Sequence, residues 1–453
     1  MHTEDTIAAI STPIGHSGIG IVRLNGKDAI KIADKVFHSP RKNKIPKTSS
    51  HRIMYGHIVD PENREIIDEV LVSVMKAPNT YTKEDIVEIN CHGGAVPLRR
   101  VLELLLRTGA RLAEPGEFTR RAFLNGRIDL AQAEAVLDVI NALTVQSQKA
   151  AVQQLRGNLS TRIDTIREKI IDLTAFVEAH IDFPEEDIDS LSLKDMKKRA
   201  TAIRQSLKKL IDSSRYGMIL REGLKTAIIG RPNVGKSSLL NAMLEHDRAI
   251  VTEVPGTTRD VIEEYLNIQG LPIKIMDTAG IRDVKDIAEK EGVKRSLRLM
   301  DDADLVLLML DGSEPLHETD RELIKKSVPE NTIVVINKCD LPAKIRISNK
   351  KPVRISAKKE TGLDRLKNRI VETVSGGQSD HGTDVITNIR HVHALERALS
   401  SVESFLSEVS RKTSPEFLAV ELRDTLDAIG EIIGITSTED ILNRIFSNFC
   451  IGK

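Results

Sequence analysis

The octapeptide Gly230-Arg231-Pro232-Asn233-Val234-Gly235-Lys236-Ser237 limits most narrowly what this chain can fold into. Its GxxxxGK[ST] spacing lies between an apolar, strand-like run at 224–229 and a helix-like run at 238–244, the context in which such a loop cradles phosphate. Glycines at 230 and 235 allow backbone conformations that a Cβ resists, so successive N–H groups can turn towards an anion at a helix N-terminus, where partial positive charge favours it. On this reading Asn233, Val234, Gly235, Lys236, Ser237 and Ser238 surround nucleotide phosphates. Lys236 reaches the β- and γ-phosphates, and the Ser237 hydroxyl ligates Mg2+.

Two further signatures follow in order. Asp277-Thr278-Ala279-Gly280 begins at the end of the apolar strand 273–276, where Asp277 supplies an acidic group on the metal side. Asn337-Lys338-Cys339-Asp340 selects the base, because the Asp340 carboxylate can accept both the ring N–H and the exocyclic amine of guanine. Adenine offers neither donor in that arrangement and would leave a buried carboxylate unpaired. Asn337 and Lys338 brace the loop, and Ser356-Ala357-Lys358, after a short strand at 353–355, has the place of a last guanine-contacting element. GTP binding and hydrolysis are therefore expected. Ile281 stands where many small GTPases carry the glutamine that orients the attacking water, and an apolar side chain cannot do that. Another water-positioning group and another positive charge are required, since an arginine finger alone is worth roughly 10³ to 10⁵ in rate. Glu289, in a charged helix-like stretch at 286–295, reads on composition alone as a solvated helix glutamate.

A chain of 453 residues is long enough for about three domains. Lysine plus arginine, 66, equal aspartate plus glutamate, 66, so any polyanion must be met by a local patch. No apolar stretch approaches the ~18 residues of a membrane span, and the acidic start, residues 1–6, lacks a secretory core, so a cytoplasmic protein with no membrane partner is expected. Cysteines 91, 339 and 450 have no CxxC spacing, which argues against a zinc or disulfide framework. Residues 1–118 alternate short strands (6–10, 19–23, 52–59, 69–75, 86–90) with helices (28–37, 96–107), an α+β pattern. From 119 to 215 apolar residues recur at helical spacing. Residues 216–375 alternate strand and helix as a doubly wound sheet does, and 376–453 return to helices at 391–409, 416–429 and 439–446. The expected fold is multidomain α/β, with a Ras-like P-loop domain inserted into one helical domain and preceded by the α+β domain. Arg120-Arg121 and Lys197-Lys198-Arg199 read as solvated helix faces, with nucleic-acid contact the minority reading, His92 as a loop histidine, and Cys450 as a terminal thiol or an incidental buried cysteine.

Several segments together resemble the tRNA-modification GTPase MnmE (TrmE) family: residues 5–23 (DTIAAISTPIGHSGIGIVR), 78–94 (PNTYTKEDIVEINCHGG), 114–136 (EPGEFTRRAFLNGRIDLAQAEAV), the nucleotide motifs, and the terminal Phe449-Cys450-Ile451-Gly452-Lys453. The resemblance implies that 1–118 bind tetrahydrofolate and dimerise, that 119–215 and 376–453 form the helical domain, and that the chain is a homodimer. It also implies a heterotetramer with an FAD protein of the MnmG (GidA) family. That complex would add an aminomethyl or carboxymethylaminomethyl group to C5 of the wobble uridine of tRNA. 5,10-Methylenetetrahydrofolate would be the one-carbon donor, and the 5-formyl form would fit the same site. By the same resemblance Arg23, Glu84, Arg127 and Lys453 are folate-contacting positions. Asn233, Thr252, the Val254 carbonyl and Thr257 hold K+, within a loop that also includes Glu253, Pro255 and Gly256. Thr258 joins Ser237 on Mg2+, Glu289 orients the water, and Cys450 is a catalytic cysteine as nucleophile or substrate-orienting group. K+ beside the phosphates would replace the arginine finger electrostatically.

A different class of function, a GTP-dependent switch docking on ribosomal RNA or an assembly intermediate, accounts for the nucleotide motifs equally well. It leaves the N-terminal segments and the terminal pentapeptide unexplained. With four tyrosines, nine phenylalanines and no tryptophan, the chain carries no evident base-stacking platform.

Overall fold

The computed structural model describes residues 5–40, 44–182, 190–249, 264–277, 289–345, 347, 351–375 and 385–453, with 182, 190–192 and 289–293 described by backbone alone. The chain divides into two compact units, residues 1–137 with 433–453, and residues 138–432.

In the first unit, strands β1 (Ile7–Ile10), β2 (Ser17–Asn25), β3 (Phe37–His38), β4 (Arg52–Val59), β5 (Ile66–Met75), β6 (Ile86–Gly93) and β7 (Arg111–Leu112) form one sheet in the order β3-β4-β5-β6-β2-β1-β7. All neighbours are antiparallel except β1 and β7. Helices α1 (Ala29–Val36) and α2 (Ala95–Arg107) bury Ile32, Ala33 and Val36, and Leu98, Val101, Leu104 and Leu105, at three- and four-residue spacing. These side chains meet Val22, Leu24, Val70, Val72, Val74, Val87 and Ile89 in one core. Alternate strand residues Ile53, Tyr55 and Leu71 stay exposed, as expected of an antiparallel sheet covered on one face. Helices α3 (Glu117–Leu124) and α4 (Leu130–Ile140) follow.

The second unit begins with helices α5 (Val145–Leu155), α6 (Asn158–Asp182) and α7 (Ser190–Glu222). Its sheet contains β8 (Leu224–Ile229), β9 (Glu264–Ile268), β10 (Leu271–Ile275), β11 (Leu305–Asp311), β12 (Thr332–Asn337) and β13 (Val353–Arg354), in the order β13-β12-β11-β8-β10-β9. Only β9 runs antiparallel. Every residue of β11 is buried, because the sheet is covered on both faces. Leu305, Leu307 and Met309 join Ile228, Ile333 and Val335 in one core, while Val306, Leu308 and Leu310 join Ala227, Ile229, Val334 and Ile336 in the other. Helices α8 (Lys236–Asp247), α9 (Glu289–Asp302), α10 (Glu318–Lys326) and α11 (Leu363–Ser375) alternate with the strands. The strand order reverses at β8, and the phosphate loop springs from the carboxyl end of that strand, the crevice where open α/β sheets bind ligands. Helices α12 (Ile389–Arg411) and α13 (Pro415–Ile433) close the unit, and α7 packs along α12 and α6.

The last helix, α14 (Glu439–Phe446), and the terminal residues belong to the first unit. Phe446 and Phe449 pack with Ala122, Ile128, Leu130 and Ala133, and Ile451 makes an antiparallel bridge to Pro115. Two close approaches fix the tail. At Gly116 (φ 67°) a Cβ would lie 2.6 Å from the Phe446 carbonyl oxygen, and at Gly452 (φ 99°) 2.4 Å from that of Ile10. The expected solvated face at Arg120-Arg121 is not found: both arginines are buried, at 8% and 4% exposure. Sequence periodicity could not see this, because besides Glu117 one turn earlier the groups that accept from Arg121, Asp5 and Glu84, and from Arg120, the Asn443 side chain, come from distant segments. Among the described residues, no helix is long and apolar enough to cross a membrane.

Candidate functional site

The phosphate loop is built as its glycines require. Gly230 (φ 147°), Asn233 (φ 62°) and Gly235 (φ 99°) all have positive φ, which turns the loop back on itself before α8 begins at Lys236. The Lys236 ammonium donates to the carbonyls of Gly230 (2.8 Å) and Arg231 (2.9 Å) across the loop. Burial pushes its pKa below the ordinary lysine value, so a phosphate arriving there meets a poorly solvated cation whose charge it stabilises. Val234 is buried in the core, and Ser237 and Ser238 lie in the first turn of α8.

Asn337, 3% exposed, joins three loops. Its Nδ2 donates to the Val234 carbonyl (2.8 Å), and its Oδ1 accepts from the Ala357 N–H (2.9 Å). Gly235 is required beside it, since a Cβ there would stand 2.2 Å from the Asn337 Nδ2. Lys338 (φ 62°) donates to the Asp311 carboxylate. Burial raises the Asp311 pKa, but the bonds from Lys338 and Ser313 outweigh it and hold the group ionised. Asp340 accepts from the Ser356 hydroxyl (2.6 Å), which lowers its pKa and presents an anionic acceptor at the mouth of the site. Ser356 also pairs with Thr361 through both backbone groups, fixing the loop that carries Ala357 and Lys358. Cys339 is exposed; its N–H donates to the Ile355 carbonyl (3.0 Å), and its thiol lies 4.0 Å from the Thr361 hydroxyl.

Asp277 (φ 55°) lies just past β10, and its carboxylate receives both Nε (2.6 Å) and Nη2 of Arg295 from α9. This bidentate pair had no signal in the sequence, nor did Asp311 or the ion pair of Arg231 with Asp320 (3.0 Å) that anchors the other side of the phosphate loop. Thr252, Glu253, Val254, Pro255, Gly256, Thr257, Thr258, Thr278, Ala279, Gly280 and Ile281 lie outside the described residues, as does the side chain of Glu289, the first residue of α9. Among the described residues, no group of three or more His, Cys, Asp or Glu side chains is placed to hold a metal ion. The donor set suits Mg2+ held through the Ser237 hydroxyl and nucleotide phosphates.

A second constellation lies in the first unit. Arg23 donates to Glu88 (2.8 Å) and to the Gly452 carbonyl (3.2 Å), beside Lys453, and its guanidinium lies over the Phe118 ring, 5.4 Å from the centroid. Arg127 lies over Tyr81 at 4.8 Å, and Tyr81 packs on the same small cluster as Phe118. The Lys453 carbonyl accepts from the Phe118 N–H (3.2 Å), and the Cys450 carbonyl from that of Gly116 (3.4 Å), leaving the Cys450 thiol exposed. Glu84 accepts from Asn25 and from Arg121 (3.4 Å). Arg121 is the hub of a buried ion network with Asp5 and Glu117 (3.0 Å), to which Arg111 adds bonds to Asp5 (2.7 Å) and Glu117 (2.6 Å). Burial alone would raise the pKa values of Asp5 and Glu117, yet the two arginines hold both below the ordinary range. Cys91, by contrast, is buried and its thiol is pushed up to about 12, an inert core residue.

A family profile described as "MnmE helical domain" matches residues 130–450, and one described as "GTP-binding protein TrmE N-terminus" matches residues 6–127. The chain belongs to the MnmE (TrmE) family. A protein of Alkaliphilus oremlandii (strain OhILAs) named "tRNA modification GTPase MnmE" is 50% identical over 461 residues, covering 100% of both chains. One of the same name from Thermoanaerobacter pseudethanolicus (strain ATCC 33223 / 39E) is 50% identical over 457 residues, covering 99% of each. As a member of the MnmE family with its phosphate and guanine loops assembled, the chain is a P-loop GTP hydrolase that uses GTP with Mg2+.

Proposed function

We propose that this MnmE-family GTPase is the GTP-hydrolysing component of a cytoplasmic tRNA-modifying complex. With an FAD protein of the MnmG (GidA) family, it installs an aminomethyl or carboxymethylaminomethyl group at C5 of the wobble uridine. The observation that supports this most is the joining, in one chain, of an assembled guanine-nucleotide site and a TrmE-type N-terminal unit. A pure docking switch has no use for the second.

In the nucleotide site, Asp340 accepts from guanine, Lys236 and the loop N–H groups bind the phosphates, and Asn337 holds the base loop and the phosphate loop in one register. Glu289 takes the water-positioning role that Ile281 cannot. Asn233, Thr252, the Val254 carbonyl and Thr257 would hold K+, which supplies positive charge beside the phosphates during hydrolysis. In the N-terminal unit the donor set suits tetrahydrofolate: Arg23, Arg127 and Lys453 offer cations to its carboxylates, and Glu84 an acceptor for the N–H edge of its pterin ring. Folate bound there would supply the one-carbon unit. The chain is expected to work as a homodimer.

GTP turnover by the purified chain, measured in K+ and in Na+ at matched ionic strength, tests the reading. Strong stimulation by K+ that disappears in Glu289→Ala is expected. Equal, slow rates in both salts would remove the cation mechanism and restore a partner-supplied charge.

A further inference from the structure

Helix α7 carries nine basic residues against three acidic ones in a chain whose net charge is zero. Their placement is one-sided. Met196, Ala200, Ile203, Leu207 and Leu210 are buried, where α7 packs along α12 and α6. At 100° per residue, Lys194, Lys197, Lys198, Lys208, Lys209 and Arg215 fall on the opposite face, within one arc of about 120°. All six are exposed. Between residues 194 and 215 the stripe runs for about 32 Å at 1.5 Å per residue.

A solvated helix face normally mixes signs, and the neighbouring helices do. The exposed side of α6 presents Asp164, Glu168 and Asp172 beside Arg162 and Lys169, and that of α12 presents Glu396 and Glu403 beside Arg397. On α7, Asp195 is taken up by Arg199 (2.6 Å), which turns away from the stripe and lies over the Phe176 ring. Asp212 is the one acid left within the arc. Among the described residues, none of the six basic groups has an ion-pair partner, so the field of the stripe is not cancelled locally.

We propose that this face of α7 binds the phosphate backbone of the tRNA substrate. Resting on the tRNA-modifying role above, the assignment follows from charge complementarity. A straight row of lysines on a rigid helix suits a regularly spaced polyanion, and lysine contacts a phosphate as a point charge without reading a base. No exposed aromatic ring interleaves with the six, so the surface positions the RNA and leaves wobble-base selection to other groups.

The test uses the full chain with Lys197, Lys198, Lys208 and Lys209 all changed to Glu, and a second protein with the same four changed to Gln. A control carries Gln at the exposed lysines 31, 35, 325 and 326. Binding of purified tRNA is followed by anisotropy across a KCl series, with intrinsic GTP turnover and circular dichroism as checks on the rest of the molecule. Expected is a loss of more than about tenfold in affinity for both stripe variants near 0.1 M salt, and a shallower salt slope, by roughly one for each phosphate contact removed. The control and the GTP turnover should be unchanged. Stripe variants that bind tRNA like the unaltered chain would overturn the assignment and leave the tRNA role standing. An unaltered chain that binds no tRNA at all would overturn both. Variants that keep tRNA but lose binding to phosphatidylglycerol vesicles would assign the face to an anionic lipid surface and overturn it equally.

Discussion

Asn337 shows how one amide can decide whether two loops act as one site. Replacing it by alanine leaves the Val234 carbonyl and the Ala357 N–H without their partner, both inside a buried region. Each such group costs about 1–3 kcal/mol. With about one such cost carried into nucleotide binding, the Asn337→Ala chain should bind GTP roughly five- to 150-fold more weakly, read by titration with a fluorescent nucleotide. An unchanged affinity would mean that the loops hold their register without it. The residues of this site were legible because each motif has its own local cause: glycines for positive φ, a lysine for phosphate, a carboxylate for guanine. The bonds among them were not. Arg295 on Asp277, Lys338 on Asp311 and Arg231 on Asp320 join residues between 18 and 89 positions apart, and spacing along a chain carries no sign of such pairs.

At the scale of elements, periodicity located what one segment decides alone. The strand at 52–59 and the helix at 439–446 fall where the pattern placed them, and most other ends differ by one to four residues. The two-residue strands β3 and β7 were illegible, because they exist only through their neighbours in the sheet, whereas β13, equally short, was marked by the nucleotide motif that follows it. The same reason hid the role of α3, whose Arg121 read as part of a solvated face and, with Glu117, is the buried centre of a network joining Asp5, Glu84 and Arg111. That network makes the first unit acid-sensitive in a defined direction. The carboxyls of Asp5 and Glu117 have folded-state pKa values below their ordinary ones. Their contribution is therefore complete above the ordinary range near 4 and is lost as pH falls through the folded values. In Glu117→Gln the unfolding midpoint should be lower at neutral pH, and its decline on acidification from about pH 5 to 3 should flatten. A parallel decline in both proteins would show that other carboxylates govern acid unfolding.

The whole molecule joins two units with separate cores, and the residues proposed to hold folate lie in a different unit from the nucleotide loops. A ligand that binds only the folded form of one unit stabilises that unit by about 2.7 kcal/mol when present at a hundred times its dissociation constant. Calorimetric unfolding of the full chain should accordingly show two transitions. GTP with Mg2+ should raise one of them, and 5-formyltetrahydrofolate the other. Gly116→Ala identifies which is which, because its φ of 67° and the 2.6 Å approach to the Phe446 carbonyl strain any side chain by roughly 1–3 kcal/mol. That substitution loosens the terminal segment from Pro115 and Phe118, so it should lower the folate-sensitive transition, weaken folate retention and leave GTP turnover in place. One transition moved by both ligands would instead mean that the units unfold as a single body, and a Gly116→Ala chain with unaltered folate retention would separate the terminal segment from the proposed folate site.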